Sequence, residues 1–180
     1  MVTIRSYTDN DAGEVGRLIA DTYSEFNLSF ASPEDRALML GPFRHAHSPE
    51  EVHRAAIAEV LRSPICLVAE AEGEIVGILR GRKERLASLF VRKDHHHQGV
   101  GRFLVARFEA ESAAQGVMVI RVSSTLYAAP FYRKMGYQKS TGLRSAWSFE
   151  GHGIPVQPMK KVLKHGSPQN KCYWDVSCFY

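Results

Sequence analysis

Hydrophobic and polar positions along this chain repeat with two periods, and the switches between them mark the elements. Val2-Thr3-Ile4-Arg5 reads as a short strand. Thr8 to Asn10 supply caps for a helix whose apolar positions Val15, Leu18, Ile19, Tyr23 and Phe26 recur at helical spacing. Residues 27–32 break that pattern, and Ser32-Pro33-Glu34-Asp35 opens a second helix with proline at its first position. Gly41-Pro42 marks a turn. Ser48-Pro49-Glu50-Glu51 predicts a third helix, with Ser48 as cap and Glu51 completing a capping box. Val52, Ala55, Ala56 and Val60 carry it to Arg62, and Pro64 prevents its continuation.

The period then changes. Residues 65–70 and 74–80 read as strands around Ala71-Glu72-Gly73, whose glycine suits a tight hairpin. Residues 86–91 form a third run, apolar on both faces apart from Ser88, as in a strand near the middle of a sheet. A helix over residues 100–115 carries an apolar stripe that includes Phe103, Leu104 and Phe108, and Gly116 is placed to cap its end. Residues 117–122 are a further β-branched run, and residues 128–134 a short helix with Pro130 near its start and Gly136 closing it. Residues 137–143 and 154–163 read as a last pair of strands separated by a glycine-rich segment. The order β-α-α-α-β-β-β-α-β-α-β-β predicts an α/β sandwich around one mixed sheet. Periodicity ends after Lys164, so the reading is one domain over residues 1–164 and a tail over 165–180, rich in aromatics at Tyr173, Trp174, Phe179 and Tyr180.

Composition narrows the class. With 180 residues of which 44% are hydrophobic, the chain can bury a continuous core. No run of about 18 apolar residues exists, which excludes a membrane-spanning helix. The chain opens directly on a strand, without a basic region followed by an apolar signal segment. Its three cysteines, Cys66, Cys172 and Cys178, lack metal-ligand spacing. Together these predict reduced thiols and a cytoplasmic location. The net charge of +4 suits an anionic ligand, but the basic residues are too dispersed for a nucleic-acid footprint. Their densest group is Arg80, Arg82, Lys83, Arg85, Arg92 and Lys93, which is either a solvated strand face or an electrostatic funnel.

The densest chemistry lies where the third strand passes through a polar loop into a glycine-marked helix start, Gln98-Gly99-Val100-Gly101-Arg102. Such a turn aims unpaired backbone N–H groups and the positive end of a helix dipole at one point, a geometry that binds phosphate. It is not a Walker P-loop, because Arg102-Phe103 stand where lysine and Ser/Thr are required. It makes a poor dinucleotide turn, with Leu104 at the third glycine position and Arg121 where an acid is wanted. Adjacent side chains point in different directions, so His95-His96-His97 is not read as a metal site.

Two elements in order carry a resemblance. Leu89-Phe90-Val91 followed by His96-His97-Gln98-Gly99-Val100-Gly101 resembles the strand and Gln/Arg-x-x-Gly-x-Gly/Ala loop of the Gcn5-related N-acetyltransferase (GNAT) family. Ala128-Ala129-Pro130-Phe131-Tyr132-Arg133-Lys134-Met135-Gly136-Tyr137 is similar to that family's downstream Ala-x-x-Phe-Tyr-x-x-x-Gly-Phe/Tyr element. Met159-Lys160-Lys161-Val162-Leu163 resembles its closing strand, so the likeness spans residues 1 to 163.

The resemblance implies a single mixed, mostly antiparallel sheet with helices on both faces and a splayed pair of central strands at the cofactor site. It implies acetyl-CoA as co-substrate, no metal, a primary amine as acceptor, direct attack in a ternary complex, and a homodimer. Backbone groups of Leu89, Phe90 and Val91 would pair with the pantetheine arm like an added strand. Those of His97, Gln98, Gly99, Val100, Gly101 and Arg102 would receive the pyrophosphate. Tyr132 would protonate the departing thiolate, a task that suits a neutral phenol.

Several positions depart from the pattern. His96 stands where glutamine or arginine is usual; it can donate to a phosphate oxygen, best when protonated. His97 stands where a small residue is common, and Tyr127 where many relatives carry asparagine. Ser123 and Ser124 either bond pantetheine amides or cap the next helix. For the base, Glu84 is taken first, beside Glu70, Glu72 and His152, and each is equally readable as a surface group. Tyr23, Phe26, Asn27, Phe30 and residues 43–47 would line an acceptor pocket or staple helices to the sheet. A non-catalytic acyl-CoA sensor and a protein lysine or N-terminal acetyltransferase are the alternatives to a small-molecule enzyme.

Overall fold

A computed structural model describes residues 1–163; the tail beyond, with Cys172, Cys178 and the four tail aromatics, lies outside the described residues. The elements are β1 (Val2–Ser6), α1 (Ala12–Phe26), α2 (Pro33–Leu40), α3 (Glu51–Leu61), β2 (Ile65–Ala71), β3 (Glu74–Arg82), β4 (Arg85–Val91), α4 (Val100–Ala114), β5 (Val119–Thr125), α5 (Ala129–Lys134), β6 (Gln138–Lys139), β7 (Arg144–Ser148) and β8 (Gly151–Val162). The strands form one sheet in the order β1-β2-β3-β4-β5-β8-β6, with β7 also on β8. Every pairing is antiparallel except β4 with β5.

Local chemistry explains most of these boundaries. Ser32 Oγ accepts from the Asp35 N–H and caps α2. The β2–β3 hairpin turns on Glu72 and Gly73, both at positive φ (54° and 83°), as a type I′ turn requires. Two expectations are corrected. Helix α3 begins at Glu51 with extended Glu50 (ψ 132°) before it, so the predicted Ser48 capping box is absent. Ser48 Oγ instead accepts from the Glu50 N–H at 3.2 Å and bonds His53 Nδ1 at 2.8 Å. The strand read over 137–143 shrinks to Gln138–Lys139, and β7 arises in the segment read as a glycine-rich separator. Ser148 pairs with Gly151 across a turn in which Phe149 takes a positive φ of 53°. Packing holds that conformation, because the Phe149 ring lies against Gly41 and edge-on to Phe43 at 5.8 Å.

Two apolar layers sandwich the sheet. Val15, Leu18, Ile19, Ile57, Leu61, Val68, Ile78 and Phe43 bury one face under α1 to α3. Leu104, Val105, Phe108, Leu79, Leu86, Ile120, Tyr132 and Tyr137 bury the other under α4 and α5. Strands β4 and β5 are neighbours for two positions only, Arg85 with Arg121 and Leu86 with Val122, and then part. Just there β4 carries an extra residue: Leu86 pairs with Gly81 and Ser88 with Arg80, leaving Ala87 as a bulge. Gly81 admits the bulge, since a Cβ there would meet the Phe108 ring and lie 2.9 Å from the Arg85 carbonyl oxygen. Gly81→Ala should therefore lower stability by about 1–3 kcal/mol through overpacking, seen as a Tm fall of about 3–10 °C. An unchanged Tm would mean that the bulge relaxes freely.

Candidate active site

The parting strands open a cleft of about 1250 Å³ that runs through the sheet from one layer to the other. Backbone alternation sets its cofactor edge. The Arg92 N–H donates to the Val76 carbonyl at 2.9 Å, so the N–H and C=O groups of Leu89 and Val91 face away from β3 into the gap. β5 pairs with none of them. An extended, amide-bearing arm could complete the ladder at that edge.

The phosphate loop follows. Gly99 is the N-cap of α4 in the left-handed conformation (φ 84°), and the first intrahelical bond runs from the Phe103 N–H to the Gly99 carbonyl at 3.0 Å. The N–H groups of Val100 and Gly101 precede it and open the helix, as the first N–H groups of a helix have no intrahelical partner. With the helix dipole behind them they fit a diphosphate. His97 also takes a positive φ, 63°, where a small residue was noted as usual. The three histidines separate: His95 Nδ1 bonds Asp94 at 2.8 Å, His96 Nε2 donates to the Val91 carbonyl at 2.8 Å, and His97 is exposed. A carbonyl only accepts, so His96 carries its proton on Nε2 and spends it on the strand end. Among the described residues no group of three His, Cys, Asp or Glu is arranged to hold a metal.

Tyr132 stands on the opposite wall, at the C-terminal side of α5. It is 3% exposed, lines the cleft, and packs edge-on against Phe131 and Tyr137. Burial raises its hydroxyl well above the ordinary phenol value. Ser124, also on the wall, donates its hydroxyl to the Thr125 carbonyl at 2.8 Å. Tyr127 is 55% exposed and stacks on Phe26 at 5.2 Å, and Phe26 lies 4.9 Å from the His96 ring. Three rings thus bridge the mouth of the cleft between the phosphate loop and the end of β5.

Of the candidate acids and bases, none reaches the wall. Glu84 is exposed in the turn between β3 and β4, Glu70 pairs with Arg5 Nε at 3.0 Å, Glu72 is in the β2–β3 turn, and His152 stacks on Trp147. Among the described residues the cleft lining contains no carboxylate. Cys66 sits on β2 outside the cleft, and burial pushes its thiol up to about 12, far from a thiolate nucleophile.

The other half of the cleft lies under α1. Tyr23, Asn27 and Phe43 line it, whereas Phe30 is exposed and His45 stacks outside on His53. Tyr23 donates to Ser148 Oγ at 3.1 Å, which donates in turn to the Met39 carbonyl at 2.8 Å. Asn27 Oδ1 accepts from Thr125 at 2.7 Å. These bonds tie α1 across to β7 and β5. Sequence reasoning missed Arg80, Arg85 and Ser88 as lining residues, and the Trp147 to Phe149 stretch of β7. The basic group it saw divides: Arg92 pairs with Glu74 and Asp94 and Lys93 with Glu25, while Arg80 and Arg85 face the cleft.

A sheet split at its one parallel pair, with a diphosphate loop at the split, defines an acyl-CoA-dependent acyltransferase. The family model described as Acetyltransferase (GNAT) domain matches residues 28–163, and the chain belongs to that family. Among solved structures it is similar to a GCN5-related N-acetyltransferase from Rhodopseudomonas palustris (22% identity, TM-score 0.71, 89% of this chain and 95% of that one). It is also similar to the PaiA N-acetyltransferase of Thermoplasma acidophilum in complex with coenzyme A (16%, 0.66, 91% and 99%). A third is the ribosomal-protein-S18-alanine N-acetyltransferase of Escherichia coli (15%, 0.61, 94% and 98%). At such identities the likeness is one of fold. No curated protein matches the sequence.

The left-handed His97 gives a direct check on the loop. His97→Gly should raise stability by about 0.5–1 kcal/mol, the relief of a left-handed side chain less the entropy that glycine adds to the unfolded chain. Urea unfolding reads the gain; a loss would show that the His97 side chain holds the loop.

Proposed function

We propose that this protein transfers an acetyl group from acetyl-CoA to the primary amine of a small molecule, by direct attack with both reactants bound. The observation that carries this reading is one continuous cleft that joins the glycine-led start of α4, the strand edge at Leu89 and the Val91 N–H, which β5 does not pair, and Tyr132. α1 and β7 wall its other half, which favours a small acceptor over a polypeptide. The expectation of a cytoplasmic enzyme belongs to the same reading.

Bound along that edge, acetyl-CoA would supply an activated acetyl thioester. Val100, Gly101 and Arg102 hold the diphosphate end through their N–H groups, and the bulge at Ala87 frees backbone donors of β4 near the reacting carbonyl. Alignment of the two reactants supplies most of the acceleration. Tyr132 Oη holds a proton for the thiolate that transfer releases. Because burial raises its pKa, the hydroxyl stays protonated across the working range and is always competent as an acid. Among the described residues no cysteine lines the wall, in keeping with direct transfer.

Tyr132→Phe should lower kcat by about 10²–10³-fold while leaving the Kd for CoA within about twofold. Calorimetry and thiol release measure the two quantities. A protein without turnover before mutation would be an acyl-CoA sensor instead.

With no carboxylate on the wall among the described residues, the acceptor arrives as free amine or loses its proton to water. The rising limb of kcat/KM with pH should then follow the acceptor's own pKa, moving about one unit between amines whose pKa values differ by one. A limb fixed for all acceptors would reveal a base in the protein.

A further inference from the structure

Arg80 is an anomaly on its strand. β3 is otherwise apolar from Ile75 to Leu79, and Arg80 follows on the face covered by α1. Directly opposite, in register on β4, stands Ser88, the one polar residue in the run from Leu86 to Val91. Both side chains line the cleft. Arg80 Nε and Ser88 Oγ are both buried without a hydrogen-bond partner among the described residues. Arg80 makes no ion pair there, and burial holds its pKa below the ordinary arginine value, as for a cation lacking a countercharge. Arg85 lines the same wall and, among the described residues, donates to the neutral Ser123 hydroxyl at 3.2 Å and to no carboxylate. A buried guanidinium Nε–H and a buried hydroxyl left unpaired on paired positions are costly, and an oxyanion satisfies both.

We propose that the acceptor is a small amine that also carries an anionic group, a carboxylate or a phosphate, and that Arg80 and Ser88 receive that group with Arg85 at the rim. The inference rests on the acetyl-transfer reading and names its substrate class. The location fits: Ser88 adjoins the Ala87 bulge, so an anion held there keeps the rest of the molecule beside the reacting carbonyl. Diamines and polyamines, which bring a second positive charge to an arginine-lined wall that holds no carboxylate among the described residues, are disfavoured.

Matched pairs test this with acetyl-CoA as donor: phenylalanine against phenylalanine amide, and glucosamine 6-phosphate against glucosamine. In the wild-type protein the anionic member of at least one pair should show kcat/KM higher by about tenfold or more, mainly through KM. The favoured pair tells carboxylate from phosphate. Arg80→Gln should remove the preference, Arg80→Lys should keep part of it, and Arg85→Gln should weaken it by only about two- to fivefold. All three should hold CoA with unchanged affinity, which shows that they fold. A second measurement needs no turnover: calorimetric binding of N-acetylphenylalanine and of N-acetylglucosamine 6-phosphate to the CoA-loaded protein, with at least one weakened about tenfold by Arg80→Gln. Acetylation of neutral amines as fast as anionic ones, or an equal loss for both members of a pair in Arg80→Gln, overturns the anion site and leaves acetyl transfer standing. Arg80-dependent binding without acetylation of any amine overturns the transfer reading instead. Neither preference nor Arg80-dependent binding overturns the anion site.

Discussion

The separation of β4 from β5 is the constraint on which the rest of this molecule depends. A sheet gains by continuing its ladder, yet here the one parallel pair closes after Arg85–Arg121 and Leu86–Val122. The bulge at Ala87 turns β4, and the Phe108 ring against Gly81 holds the turn in place. The backbone groups of Leu89 and the Val91 N–H, which β5 does not pair, would be a liability in a dry core. They are tolerable because they border a cleft that a second molecule is shaped to fill.

Everything chemical is arranged about that opening. α4 can point its N-terminus at the cleft because Gly99 and His97 both bend the chain through the left-handed region just before it. α5 brings Tyr132 to the other wall, where burial keeps its proton on. From the far layer α1 is drawn in by the Tyr23–Ser148–Met39 chain and the Thr125–Asn27 bond, which connect it to β7, α2 and β5. The Tyr127–Phe26–His96 rings join the two sides at the mouth.

Charge is sorted as strictly as shape. Arg92 and Lys93, close in sequence to the phosphate loop, are neutralised by Glu74, Asp94 and Glu25. Arg80 and Arg85, on the strands that flank the bulge, meet no carboxylate among the described residues and turn their charge into the cleft. One basic cluster in sequence is thus divided by the fold between ion pairs and the cleft wall.

The sequence by itself determined the periods of the elements, the tight hairpin around Ala71-Glu72-Gly73, the glycine-led start of α4 and the ordered pair of motifs that identify the family. Each depends on residues within a turn or two of one another, where φ preferences, caps and alternation act directly. Tertiary structure alone decided which side chains share a wall. His96 turned to the Val91 carbonyl because the loop folds back over the strand that precedes it. Glu84 fell outside because the β3–β4 turn lies at the other end of β4 from the loop. Phe149 could enter a turn as a left-handed residue because Gly41 and Phe43, far away in the chain, made a seat for its ring. Arg80 and Ser88 became neighbours through strand register, which a one-residue bulge sets and local pattern does not announce.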